Sequence, residues 1–309
     1  MRTTLATIDI LGIKLYTYGS FLSLGVLFAI ALAYFVERKV SLKKGVLLLA
    51  ICLSLPLGVL LSRLLYCLTD SNFRAVLTLK NIFRLSTGGM SMYGVIIAMI
   101  FAALLSAKAL GENTHKLLDA ITSPLMAFIL FARLGESYTQ LGISRPLVTG
   151  VLEGGFLVHV GEYDAYLKTW LLEAVCACVL CVLLYAWLNK YKKGDVFLSW
   201  MILFGATQVI FESLRYDGHM RFSFVGLQQV LSSVLWGIAL LILSLRKKPM
   251  SKRAKINLFL LPVAVFGAIG IEFLIDRSEI QKWLLYIGYI ALLALPSGIA
   301  LSLREKTHE

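Results

Sequence analysis

The sequence predicts an all-α integral membrane protein, a polytopic bundle of transmembrane helices. Hydrophobic residues make up 59% of the 309 residues and charged residues only 16%, with a mean hydropathy of +0.81. Apolar runs of about 18 residues or more recur from end to end, which is longer than the helices of a soluble core require. These runs also lack the alternation of a membrane β-barrel. Helices are therefore the expected spanning structure, because they satisfy their backbone polar groups within the bilayer.

Nine candidate spans can be placed along the chain. Seven of them form a predicted core of residues 1–248, and two follow the basic linker RKKPMSKRAK as an appended hairpin within residues 249–309. The loop after the fourth span, residues 137–168, is long enough for a small external head but too short for a separate domain. The predicted spans are roughly 17–36, 46–66, 91–110, 117–133, 169–188, 196–213, 225–245, 256–275 and 282–303.

Basic residues cluster after the first, third, fifth and seventh spans and at the end of the chain. The positive-inside rule therefore predicts an amino terminus outside the cell and a cytoplasmic carboxyl terminus. Basic loops that face anionic lipid account for the net charge of +12. This charge therefore does not require a nucleic-acid partner, and none is expected. The five cysteines form no CxxC pair, and we expect neither a metal site nor a cofactor.

Polar side chains gather at the predicted outer ends of five spans. Arginines are unexpected on that side, so Arg63, Arg133 and Arg215 need either a carboxylate within the bundle or an anionic ligand. Glu136 and Glu212 are the candidate internal partners. Two plainer interpretations stay open, which are a structural ion-pair network and a snorkelling Arg133 that anchors its helix end.

A glycine pair precedes the third span. Gly88 and Gly89 allow a close backbone approach, and Ser91 and Tyr93 follow at the amino-terminal end of the helix. Such an end carries positive dipole charge and can hold a phosphate. Tyr18, at the start of the first span, adds a phenol at the same predicted depth.

Six stretches then occur in the order and spacing of one family. They are KLYTYGSFLSLG, LSRLLY, STGGMSMYG, LLDAITSP with ARLGESYTQLGISR, LLEA, and GDVFLSWMILFGATQVIFESLRYD. Over residues 8–248 the chain resembles the bacterial prolipoprotein diacylglyceryl transferase family, whose members are seven-span membrane enzymes.

The resemblance implies transfer of a diacylglyceryl group from phosphatidylglycerol to a lipobox cysteine thiol. The acceptor would be the signal-peptide region of a prolipoprotein, at the outer face of the bacterial cytoplasmic membrane. Arg133 matches the family's phosphate-binding arginine, and Arg63 matches its second-span arginine. Glu212 and Arg215 match the end of its sixth span. The predicted substrate-binding residues are Tyr18, Arg63, Gly88, Gly89, Ser91, Arg133 and Arg215, and the predicted catalytic residues are Tyr93, Glu136 and Glu212.

The chain departs from the family pattern at four positions. Tyr93 stands in place of a histidine, and a tyrosine with an ordinary pKa of about 10 is a poor base at neutral pH. Glu136 replaces an asparagine, Leu141 a glutamate and Gln208 an arginine. In an active enzyme, Tyr93 or Glu136 would take over the handling of the proton.

Two other functions therefore stay open at the level of the sequence. The first is a non-catalytic paralogue that binds phospholipid or a lipoprotein precursor, suggested by the departures at Tyr93, Leu141 and Gln208. The second is a transporter with an outer polar gate. It would need helix-breaking positions at mid-membrane, for which Pro56 and Pro124 are the candidates.

Overall fold

The computed structural model describes residues 7–10, 13–69, 78, 82–83, 89–139, 141–147, 155–160, 165–216, 221–246 and 249–307. Within these ranges it contains nine helices, each long and apolar enough to cross a membrane. They are α1 (Thr17–Val40), α2 (Val46–Thr69), α3 (Met92–Leu110), α4 (Thr114–Glu136), α5 (Thr169–Trp187), α6 (Asp195–Leu214), α7 (Leu227–Leu245), α8 (Lys252–Arg277) and α9 (Lys282–Ser302). The predicted all-α, multi-pass membrane protein is confirmed.

The helices continue for a few residues beyond several predicted spans. For example, α1 was expected to end near residue 36 and ends at Val40, with Arg38 and Lys39 in its last turn. Cationic side chains in this turn interact favourably with the negative end of the helix dipole. Helical hydrogen bonding therefore continues past the apolar stretch that hydropathy detects.

Short antiparallel strands connect some of the helices, and none of them was expected from the sequence. The hairpin β1 (Thr7–Ile10) and β2 (Ile13–Tyr16) leads directly into α1. Between α4 and α5 lies a three-stranded sheet in the order β3-β5-β4. Its strands are β3 (Ile143–Leu147), β4 (Val158–Val160) and β5 (Ala165–Lys168), and the pair β6 (Arg221–Phe222) and β7 (Val225–Gly226) leads into α7.

The described residues group into two compact units. The first unit comprises residues 1–36, 121–186 and 214–218, and the second comprises residues 37–120, 187–213 and 219–309. The first contains the three-stranded sheet and the helix ends around it. The predicted boundary at residue 248 separates a seven-span core from an appended hairpin. The grouping into two units does not test this boundary, and it stays a prediction.

In the second unit, α2 packs closely along α3. A Cβ atom added to Gly94 would lie 2.2 Å from the Cα atom of Ser62 and 2.4 Å from its nitrogen. Glycine at this position lets the two helix backbones meet, which is a common device in membrane bundles. The contact also fixes the start of α3, because the Ser91 backbone N–H donates to the Ser62 carbonyl at 3.1 Å.

The hairpin of α8 and α9 packs against α7 in the same unit. The amide nitrogen of Gln229 on α7 donates to the carboxylate of Glu272 at 2.5 Å and lies 3.0 Å from the Tyr289 hydroxyl. Farther along α7, the Trp236 indole donates to the Ser297 hydroxyl at 2.8 Å. Polar side chains in hydrocarbon need such partners, so the hairpin satisfies groups that α7 would otherwise present to lipid.

We predict that Gly94→Ala destabilises the protein, because the new methyl group forces the α2 and α3 backbones apart. Overpacking of this kind typically costs about 1–3 kcal/mol, which should appear as a lower thermal unfolding temperature in detergent. Gly288→Ala is the matched control, since no atom lies within 4 Å of a Cβ atom added to Gly288. Equal unfolding temperatures for the two variants would contradict the close helix contact.

Candidate functional site

The site begins where α4 ends. The last turn of α4 carries Arg133 and Glu136, and a tight turn follows in which the Thr139 N–H donates to the Glu136 carbonyl at 2.9 Å. Gly142 then takes a φ of 70°, a left-handed conformation that glycine adopts without a steric penalty. The chain enters β3 immediately after this residue.

Pairing of β3 with β5 places the start of α5 beside the end of α4. Ile143 is opposite Lys168 in this register, and the Trp170 N–H donates to the Gly142 carbonyl at 2.9 Å. Glu173 follows within the first turns of α5. The sheet therefore fixes the position at which this glutamate lies beside the end of α4.

The segment after α6 adds the final member of the site. Arg215 forms an isolated antiparallel bridge with Ser144, and the Tyr216 N–H donates to the Ile143 carbonyl at 2.9 Å. These backbone contacts hold Arg215 against the first residues of β3. Three separate chain segments thus bring two arginines and two glutamates together in the first unit.

The four side chains form a closed ring of ion pairs, which we call the Arg–Glu ring: Arg133, Glu136, Glu173 and Arg215. Arg133 lies 2.6 Å from Oε1 of Glu136 through Nη1 and 2.8 Å from Oε2 of Glu173 through Nε. Arg215 lies 3.1 Å from Oε2 of Glu136 through Nη2 and 2.8 Å from Oε1 of Glu173 through Nη1. Each carboxylate therefore bridges both guanidinium groups, using a different oxygen for each.

The Arg–Glu ring is buried and has no net charge. The side chains of Arg133 and Glu136 are each 7% exposed, that of Arg215 is 2% exposed and that of Glu173 is 1% exposed. Bringing such charges out of water is costly unless opposite charges and good geometry compensate. Two carboxylates between two planar guanidinium groups supply both.

Glycines let the backbone approach this ring. A Cβ atom added to Gly142 would lie 2.7 Å from Oε2 of Glu136 and 2.6 Å from the Cβ atom of Trp170. At Gly135 an added Cβ atom would meet Phe21 at 2.9 Å and the Tyr18 ring at 3.1 Å. Any larger residue at Gly142 would displace either the Glu136 carboxylate or α5.

Four of the predicted site residues meet here. Arg133, Glu136 and Arg215 are members of the ring, and Tyr18 lies within electrostatic reach of all three. Glu136, one of the two candidate internal partners, pairs with both Arg133 and Arg215. Glu173 was not assigned to the site, although a glutamate inside an apolar span is itself a signal of a buried polar function.

Other predicted site residues lie in the second unit. Arg63 is buried on α2 and donates to the carbonyl oxygens of Ile82 at 3.2 Å and Gly89 at 3.0 Å. Gly89 has a φ of 78° and lies against the ring of Tyr66. Arg63 thereby holds the segment that leads into Ser91 and α3. Gly88 lies outside the described residues, and the predicted convergence of Arg63 with the other arginines stays a prediction.

Tyr93 is buried on α3, where its hydroxyl is hydrogen-bonded to the hydroxyl of Ser232 on α7. Ser232 donates its own proton to the Gln228 carbonyl at 2.7 Å. A serine has a single hydroxyl proton, so Tyr93 is the donor in the bond between them. Glu212 is also buried, on α6. The catalytic roles expected for Tyr93 and Glu212 stay predictions.

No group of three or more His, Cys, Asp or Glu side chains in the described ranges is arranged to hold a metal ion. The ring itself offers guanidinium and carboxylate groups. They can neutralise an anion, orient its oxygens and exchange a proton.

A model of the prolipoprotein diacylglyceryl transferase family matches residues 6–245. The chain belongs to this family. The match takes in all four residues of the Arg–Glu ring and ends at the last residue of α7, so α8 and α9 lie beyond it.

Curated relatives named phosphatidylglycerol–prolipoprotein diacylglyceryl transferase support the same assignment. The relative from Oceanobacillus iheyensis is 23% identical over 256 residues, covering 80% of this chain and 89% of the relative. The one from Bacillus velezensis is 23% identical over 243 residues, covering 76% and 89%. A Bacillus cereus relative is 24% identical over 241 residues, covering 75% and 88%. The expected transferase family and multi-pass membrane location are confirmed.

We predict that Glu173→Gln strongly destabilises this family member, because it removes one of the two carboxylates that the ring supplies to its buried guanidinium groups. Removal of one partner from a buried ion pair typically costs about 3–5 kcal/mol. Thermal unfolding in detergent measures the effect, and Glu279→Gln, at an exposed position, is the control.

A double-mutant cycle with Arg133→Gln separates the ion pair from general packing. If Glu173 and Arg133 interact in the folded protein, the two substitutions together lower the free energy of unfolding by less than the sum of the single effects, with a coupling of about 0.5–3 kcal/mol. Simple additivity would show that the ring contributes nothing as a unit.

Proposed function

We propose that this protein transfers a diacylglyceryl group from phosphatidylglycerol to the lipobox cysteine thiol of a prolipoprotein. The Arg–Glu ring is the observation that supports the proposal most strongly. It places two arginines within a membrane protein whose family acts on a phosphate-linked lipid. The family match and the three relatives named phosphatidylglycerol–prolipoprotein diacylglyceryl transferase support the same reaction.

In the proposed reaction, the cysteine sulfur attacks the carbon of the diacylglyceryl group that is bonded to the phosphate oxygen. A carbon–sulfur bond forms, the bond from this carbon to the phosphate oxygen breaks, and glycerol phosphate leaves. The thiolate is the competent nucleophile, so the thiol proton has to pass to a base. The leaving group gains negative charge, which fixed cationic donors stabilise best in a dry site.

Arg133 and Arg215 are the proposed phosphate-binding groups. Their planar guanidinium groups match the geometry of phosphate oxygens. In the ring they are held in place by Glu136 and Glu173. This arrangement keeps both cations buried and oriented before a lipid headgroup arrives.

Glu136 is the proposed proton acceptor within the ring. Its two oxygens contact a different arginine each, so a proton on Glu136 weakens both contacts. The two guanidinium groups then gain freedom to bind phosphate oxygens. Uptake of the thiol proton by Glu136 would thus couple formation of the nucleophile to binding of the leaving group.

The predicted orientation sets the side of the membrane on which this occurs. Basic residues in the last turns of α1 and α3 favour a cytoplasmic position for those helix ends. The amino terminus would then be outside and the carboxyl terminus cytoplasmic. The reaction would occur at the outer face of the bacterial cytoplasmic membrane, where the signal-peptide region of the prolipoprotein supplies the thiol.

A binding protein without transferase activity is the second candidate. It is favoured by Tyr93, which stands where the family has a histidine and donates its proton to Ser232. The absence of net charge in the Arg–Glu ring also fits a structural role. Such a protein would hold phosphatidylglycerol or a lipoprotein precursor and leave both unchanged.

We predict that the purified protein, in vesicles that contain phosphatidylglycerol, adds a diacylglyceryl mass to a lipobox peptide. Arg133→Lys should lower the rate about a hundredfold or more, because a lysine keeps the charge but loses the planar donors. Arg277→Lys, at an exposed position at the end of α8, is the control. Mass spectrometry of the peptide is the measurement.

The same experiment distinguishes the two candidates. A Bacillus cereus relative serves as the positive control for the lipid and peptide. If that relative modifies the peptide while this protein binds phosphatidylglycerol and adds no mass, the transferase proposal is wrong and the binding candidate stands.

A further inference from the structure

A cavity of about 620 Å³ lies within the second unit. Three segments contribute most of its lining, which are the start of α4, the chain between α5 and α6, and the carboxyl-terminal tail. This volume falls in the range of about 300–1,000 Å³ that is typical of small-molecule sites. The lining residues belong to none of the groups assigned to the transfer reaction.

Hydrogen bonds fix the walls of this cavity. Both carboxylate oxygens of Asp119 on α4 accept backbone N–H groups at 2.7 Å, from Gly194 and Phe197 at the start of α6. The carboxyl-terminal tail pairs with the other wall, because the Lys192 N–H donates to the Glu305 carbonyl at 2.8 Å and the Thr307 N–H donates to the Lys190 carbonyl at 3.1 Å. The cavity is therefore bounded by ordered backbone.

The charge of the lining is positive. Four lysines face two carboxylates: Lys116, Lys192, Lys193 and Lys306 against Asp119 and Glu305. Both carboxylates are engaged, since Asp119 caps α6 and Glu305 lies 3.0 Å from Nζ of Lys192. Lys193 and Lys306 are exposed and line the cavity, and Lys306 forms an isolated antiparallel bridge with Tyr191.

We propose that this cavity binds the phosphate group of an anionic ligand. Lysine ammonium groups bind phosphate as point charges, and His115 in the lining adds a nitrogen donor or acceptor. The ligand is a phosphate monoester, carried either by a lipid headgroup or by a soluble metabolite. Lys193 and Lys306 supply the main attraction, while Lys116 donates to the Ser41 carbonyl at 2.7 Å.

The site goes beyond the proposed transfer reaction and does not depend on it. The family match ends at residue 245, whereas the cavity is completed by residues 305–307. The basic loops around it are those that the positive-inside rule places next to the anionic cytoplasmic leaflet.

The test uses the full-length protein in phosphatidylcholine nanodiscs, with two probes. One arm titrates sn-glycerol 3-phosphate and follows tryptophan fluorescence. The other adds phosphatidic acid to the nanodisc and measures retained lipid by native mass spectrometry. Saturable binding is expected in one arm, and that arm identifies whether the phosphate comes from a soluble ligand or from a lipid.

The variant Lys193→Gln with Lys306→Gln should weaken this binding about thirtyfold, since each lysine near an anionic group contributes a factor of about five. The matched control is Lys252→Gln with Lys255→Gln, which removes two exposed lysines from the first turn of α8 that do not line the cavity. It should leave binding unchanged.

Three results would overturn the proposal. They are no saturable binding in either arm, binding that persists in the cavity variant, and an equal loss in the cavity and control variants. An equal loss in the cavity and control variants would show that binding depends on the overall positive charge and not on the cavity. Both variants keep the backbone pairing of the tail, so elution as a monodisperse peak confirms that the fold is retained.

Discussion

The buried Arg–Glu ring is the constraint on which the first unit depends. Two guanidinium groups and two carboxylates can remain out of water only when all four are present and correctly placed. That requirement ties the end of α4, the start of α5 and the segment after α6 to one another. The left-handed Gly142 and the pairing of β3 with β5 follow from the same demand, because they set where Glu173 reaches Arg133.

The ring also explains how a membrane protein can keep two arginines buried. A buried arginine without an opposite charge would be strongly unfavourable, and the carboxylates of the ring compensate for that cost. In the proposed reaction, a proton on Glu136 would weaken its contacts with both arginines. The proposed function uses this property, with Glu136 bonded to both arginines through separate oxygens.

The second unit is stabilised by contacts of another kind. Gly94 allows backbone contact between α2 and α3, and Arg63 is used to hold the chain before α3 through two carbonyl oxygens. Its hairpin of α8 and α9 lies outside the family match, yet it satisfies Gln229 and Trp236 on α7. The hairpin is therefore integrated with the helix it follows, and the carboxyl-terminal tail beyond it completes the basic cavity.

The sequence by itself determined the membrane class, the nine spans and the family, because hydropathy and the order of motifs can be read along the chain without knowledge of three-dimensional contacts. It also identified Arg133, Glu136 and Arg215 as charges that require partners. Tertiary structure decided which partners they have. Glu173 entered the ring through the strand register between α4 and α5, and Tyr93 met Ser232 across two helices. Such pairings join residues far apart in sequence, and neither periodicity nor spacing along the chain determines the distance between them in the folded protein.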